Sequence, residues 1–200
     1  DILSNQTYIK KGNVLDKLLE SVMISKIDTK DLIVGDKNAI LIATRVLGYG
    51  KDYKVIIKGE EHTIDLSTLE NKPLIDSDYE AGKNEFNFTL PSTSIPITYK
   101  ILTGHDEVKI ERELAGLKRL HKDSSPELST RLKYIIKSVD GETGAKEVRE
   151  YVDNYFLARD SRALREHIKI NQPDVDLNYI LEDGEEVSIP IGMSFFWPDI

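Results

Sequence analysis

The stretch "LIVGDKNAILIATRVLGYGKDY", residues 32–53, constrains the fold more than any other. Ala39, Ile40, Ile42, Ala43, Val46 and Leu47 spread apolar side chains over most of the circumference of a helix. A helix of that kind needs cover on nearly every side, so it is expected at the centre of a core. Asp36 is read as its N-cap and Gly48 as the C′ residue that ends it.

Around this helix the period of the apolar residues changes from segment to segment. "YKVIIKGEEHTIDL" reads as a hairpin near 53–66, turning at "KGEE". Phe86, Phe88 and Leu90 alternate, and so do Ile95, Ile97 and Tyr99, which predicts a second hairpin near 86–102. Pro96 removes a ladder donor there and predicts an edge strand. A third hairpin near 177–192 turns at Asp183-Gly184. Residues 104–170 read as a helical block, with Val108, Ile110, Leu114 and Leu117 at helical spacing. Ser125 is the expected cap before Pro126, and Asp160 the expected cap of "RDSRALREHIKIN". Asn13 caps a short helix through "VLDKLLESVMI", and residues 70–84 read as a loop. Residues 1–11 read as an extended N-terminal arm. The expected fold is α+β, with a single domain over 12–200 and an aromatic tail at its end.

Composition removes several functions. The formal net charge is −8, and basic residues are interleaved with acidic ones, which argues against nucleic-acid binding. There is no cysteine, so disulfides, thiolate zinc and cysteine nucleophiles are excluded. No window of about 18 apolar residues exists, so no membrane-spanning helix is expected. The opening residues "DILSNQTYIKKGN" hold no apolar run of a secretory leader.

Catalytic signatures are also missing. His62, His105, His121 and His167 fall on separate predicted elements, with no paired metal spacing. "GYGK" at 48–51 lies at a helix end rather than a helix start, the wrong pole for a phosphate. "DVD" at 174–176 reads as solvated loop acids rather than a cation site. No Gly-x-Ser-x-Gly elbow occurs. A non-enzymatic protein without a cofactor is expected.

Five stretches in order, "LIVGDKNAILIATRVLGYGKDY", "FNFTLPSTSIPITYKILTG", "YIIKSVDG", "LARDSRALREHI" with "PDVDL", and "IPIGMSFFWPD", carry a resemblance. In these the chain resembles the baseplate protein family of contractile-tailed phages, the group that includes a baseplate hub subunit of T-even phages. The resemblance implies a structural role in the virion, in a tail baseplate assembled in the host cytoplasm. It implies partners among the hub, tube, spike or tape measure proteins and an oligomer within the assembly. It equally admits an assembly chaperone that leaves before the particle is finished. Many members of the family carry Cys-x-x-Cys pairs in the turns of two similar hairpins, where this chain reads "KGEEHT" and "LEDGEEV". If these hairpins still pair, polar and turn contacts must hold them.

Two groups of residues stand out as partner-binding candidates. Phe195, Phe196 and Trp197, followed by Pro198, either fold back to seal the protein's own core or insert into a neighbour as an anchor. Arg162 and Arg165, behind Asp160, either form ion pairs on a surface helix or reach a carboxylate on another segment or subunit.

Overall fold

Asn5 decides how the chain begins. Its side-chain oxygen accepts hydrogen bonds from the Thr7 and Tyr8 amides at 3.0 and 3.3 Å, the geometry of an N-cap. Helix α1 (Gln6–Lys11) follows, and Leu3 is buried ahead of it. A capped helix thus replaces the extended arm expected over residues 1–11. The computed structural model describes residues 2–11, 13–25, 27–73, 80, 82–120, 126–181 and 183–196.

The chain is α+β, with eight α-helices and three antiparallel sheets of two or three strands among the described residues. Its contacts divide the chain into two compact units. The first joins Asp1–Lys72 to Pro173–Ile200, and the second is Pro73–Gln172.

In the first unit, α2 (Val14–Val22) buries Val14 and Leu19. Asn13 precedes it without a side-chain capping bond. Helix α3 (Val34–Tyr49) starts ahead of Asp36, which sits in its first turn rather than at its cap. It also runs through Gly48. Gly50 ends it at φ 88°, its amide bonded to the Val46 carbonyl at 3.0 Å. Leu41 and Ile42 are buried, but Ala39 and Ala43 are exposed and Leu47 is 87% exposed. The helix expected to be covered all round is therefore covered on one side only. Strands β1 (Asp52–Ile57) and β2 (Glu60–Asp65) form the predicted hairpin, in register Ile57↔Glu60. Lys58 at φ 51° and Gly59 at φ 90° make its two-residue turn.

The chain returns to this unit at Pro173. The Lys72 amide donates to the Asp174 carbonyl at 2.9 Å and the Asp176 amide to that of Glu70 at 2.8 Å. Strands β6 (Asn178–Ile180) and β7 (Glu186–Ser188) make the third hairpin, and α8 (Met193–Phe196) ends the described chain. The tips of the two hairpins meet through Lys58 Nζ and Glu185 Oε2 at 2.8 Å. The Glu185 carboxylate holds the Lys58 ammonium above its ordinary pKa.

The second unit is built on one three-stranded sheet in the order β3 (Phe86–Thr89), β4 (Pro96–Tyr99), β5 (Ile136–Val139). This corrects two expectations. Pro96 stands in the central strand, not an edge. It is tolerated because it opens the strand, and its carbonyl accepts from the Asp140 amide at 2.8 Å. The helical block over 104–170 is interrupted by β5, which leaves α5 (Glu127–Ile135) directly and pairs with β4. Pro126 occupies the N-cap of α5 rather than its first turn; Ser125 lies outside the described residues. Helices α4 (Gly104–Leu120), α6 (Ala145–Asn154) and α7 (Ala158–Asn171) complete the unit. Leu90, Ile97, Tyr99, Leu132, Val148 and Leu164 form its core.

One ion pair ties three of these helices. Glu113 of α4 receives both terminal nitrogens of Arg149 of α6 at 2.8 Å and the Tyr134 hydroxyl of α5 at 2.9 Å. The Arg149 hydrogen bonds, with help from Tyr134, hold the Glu113 carboxyl below its ordinary range against the opposing effect of burial. A carboxyl depressed in the folded state stabilises fully above its unfolded pKa, about 4.3, and that contribution disappears as pH falls through the folded value. Glu113→Gln is therefore expected to flatten the fall in melting temperature between about pH 5 and pH 3, which a series of thermal melts checks.

Candidate functional site

Of the aromatic tail, Phe195 and Phe196 are fully buried in the first unit, while Trp197 and Pro198 lie outside the described residues. Phe195 packs on Tyr53 with ring centres 5.2 Å apart, and Phe196 meets Tyr49 edge-on at 6.5 Å. These two rings seal their own core, the first of the two alternatives open from sequence.

What holds them is a residue the sequence reading did not single out. Arg45 of α3 is 2% exposed. Its guanidinium donates to three main-chain carbonyls: Phe195 at 3.0 Å, Gly50 at 2.8 Å and Asp52 at 3.3 Å. It also lies over the Tyr49 ring at 5.2 Å. One planar cation thus gathers the end of α3, the start of β1 and α8. The sequence signal was an arginine set among the apolar residues Ile42, Ala43, Val46 and Leu47.

Helix α7 carries the other candidates, and it separates them. Asp160 is fully buried and does not cap the helix; Leu157 stands at that position. The Asp160 carboxylate instead accepts from the Ser92 amide at 2.8 Å and the Thr93 hydroxyl at 3.1 Å. It clamps the turn between β3 and β4, where Ser94 holds φ 58°. Its role is structural, and a carboxylate buried on neutral donors is sensitive to truncation. Asp160→Ala is expected to destabilise by about 3 kcal/mol, and Asp160→Asn, which keeps an acceptor for the Ser92 amide, by about half that, read from denaturant midpoints.

Arg162 and Arg165 face outward. Arg162 pairs with Glu166 at 2.8 Å, one turn on, and both are well exposed. Arg165 donates to the Ser161 carbonyl of its own helix at 3.3 Å and has no carboxylate at ion-pair distance among the described residues. The helical repeat adds two cations that the sequence reading passed over, Arg159 and Lys169, both exposed and without a carboxylate partner among the described residues. Tyr155, Leu157 and Ile170 are exposed at the two ends of α7. The outer face of α7 is thus a basic strip with apolar ends. The structure brings the arginines together with each other but puts them in a different unit from Phe195 and Phe196.

The remaining motifs have local duties. Asp174 accepts from the Asn38 amide group at 3.0 Å, and Asp176 from the Asn178 amide at 3.1 Å. Lys51 of "GYGK" pairs with Asp65. His167 packs on Phe88 with ring centres 4.6 Å apart. His62 lies on β2 and His105 on α4; His121 lies outside the described residues. Among the described residues no group of three or more His, Cys, Asp or Glu is placed to hold a metal ion, and no helix is long and apolar enough to cross a membrane.

Compared with protein families, curated proteins and solved structures, the chain matches none.

Proposed function

We propose that this chain is a structural, non-enzymatic protein of a contractile phage tail, a baseplate hub component that bridges neighbouring tail subunits. The observation that carries the reading is the open side of α3. Its outer stripe presents Ala39, Ala43 and Leu47 to solvent, with Leu47 87% exposed. An apolar helix face of this kind gains nothing in an isolated protein and is suited to burial against a neighbour. The family resemblance supplies the setting, a virion baseplate assembled in the host cytoplasm. The partners proposed are other tail proteins: hub, tube, spike or tape measure.

The same open face also serves the runner-up, a chaperone that holds an apolar segment of the hub or tape measure protein and then departs. Quantitative mass spectrometry of purified, washed particles separates the two, with the tail tube protein as internal standard. A fixed small ratio to the tube protein is expected. Absence from particles, with abundance in the lysate, would overturn the hub assignment and leave the chaperone. Leu47→Glu is expected to change the stability of the free protein by no more than about 0.5 kcal/mol, because the position is exposed, while lowering its incorporation into particles.

A further inference from the structure

We infer that the outer face of α7 docks a second copy of this chain, and that it receives the acidic tip formed by the β1–β2 and β6–β7 hairpins. The argument is complementarity between two surfaces of the same sequence, and it stands apart from the tail assignment.

The α7 strip carries Arg159, Arg162, Arg165 and Lys169 against the single carboxylate of Glu166, a net +3. Arg159, Arg162, Glu166 and Lys169 recur every three or four residues and so share one side of the helix. Among the described residues, Arg162 alone of the strip's four cations has a carboxylate at ion-pair distance, that of Glu166.

The hairpin tip is its inverse. The Lys58–Glu185 contact brings the two turns together. Among the described residues, Glu60, Glu61, Asp183, Glu185 and Glu186 stand around it against Lys54 and Lys58, a net −3. Lys54 is taken by Glu61 at 3.0 Å and Lys58 by Glu185. Glu60, Asp183 and Glu186 are exposed and have no cation at ion-pair distance among the described residues. The apolar parts match as well. Ile56 is 78% exposed opposite Glu61, and Ile180 is 70% exposed opposite Glu186. They answer Tyr155, Leu157 and Ile170 around the basic strip.

A chain of net −8 repels its copies as a whole. At 0.1 M salt the Debye length is about 10 Å, so charges across the body of the protein are screened while pairs at contact distance are not. The local contact decides the outcome.

The test is sedimentation velocity of the full chain from about 1 to 100 μM, in 0.1 M and 0.5 M sodium chloride. Concentration-dependent association is expected at the lower salt, weakened at least about tenfold at the higher. Two reversal variants follow, R159E/R165E/K169E and E60K/D183K/E186K, all at exposed positions. Each alone is expected to lose self-association by at least about tenfold, and an equimolar mixture of the two to recover it. The inference is overturned by a monomeric wild type at 100 μM in 0.1 M salt. It is equally overturned by undiminished association of either variant, or by no pairing in the mixture. Binding of a 20-base oligodeoxynucleotide that depends on α7, without self-association, would replace it with phosphate recognition.

Discussion

Replacing Arg45 with methionine is expected to destabilise the first unit by about 3 kcal/mol, a fall of about 8 °C in melting temperature. Methionine fills a similar volume, so the loss comes from polarity rather than from a cavity. Three carbonyls, those of Gly50, Asp52 and Phe195, lose a charged donor. The Phe195 carbonyl lies 150 residues away in sequence, in a buried environment where water does not readily replace the guanidinium. Arg45→Lys is expected to recover little, because an ammonium is a point donor and cannot span three acceptors in a plane. Hydrogen exchange gives the local readout. The Phe195 amide, bonded to the Gly192 carbonyl at 3.2 Å, should lose protection along with that of Gly50. Amides of β4 and β5, which belong to the other unit, should not change. Unchanged protection at Phe195 would show that α8 is held by its aromatic packing alone.

Gly35 and Gly48 lie on the same helix, and alanine at each is expected to act with opposite sign. Alanine is a better helix former than glycine by about 1 kcal/mol, and at Gly48 that is the whole effect, since an added Cβ meets nothing within 4 Å. Gly48→Ala is therefore expected to stabilise by about 0.5–1 kcal/mol. At Gly35 the Cβ would enter the Pro173 carbonyl oxygen and sit 2.9 Å from the Asp174 Cα. Both are backbone atoms, so no flexible side chain can swing aside. Overpacking of that kind costs about 3 kcal/mol and outweighs the gain in propensity. The net expectation for Gly35→Ala is a loss of about 2 kcal/mol or more. It should also disturb the Lys72–Asp174 and Glu70–Asp176 backbone bonds, by which the returning chain joins the first unit. Two denaturation curves decide the pair, and stabilisation by Gly35→Ala would refute the close approach.

The missed expectations share a cause. Asp36 and Asp160 both looked like helix caps because each precedes a run of helix-forming residues at the right offset. Both lie inside the first turn instead. Asp160 is drawn inward by Ser92 and Thr93, 68 and 67 residues away, which no local pattern announces. Asn5, the cap that was missed, heads a helix of only six residues, too short for a clear apolar period. "YIIKSV" continued a helical pattern that ended only because Ile136 and Ser138 found partners on β4. Of the candidate site, the two arginines on the outer face of α7 were visible as a pair, whereas Arg45 was hidden by its apolar surroundings.

The kinds of element and the places where hairpins turn were determined by the sequence alone. Lys58-Gly59 and Asp183-Gly184 act over four residues, and glycine there adopts the positive φ, 90° and 85°, that a tight turn requires. Alternation at period two and repetition at 3.6 are likewise local. Only the tertiary structure decided which side of α3 is covered and that Pro96 opens a central strand. It alone joined residues 173–200 to the first unit, and it alone gave Arg45 and Asp160 their structural roles. Each of those outcomes depends on a partner tens to hundreds of positions away, and local propensity carries no information about which distant backbone will offer a carbonyl or an amide.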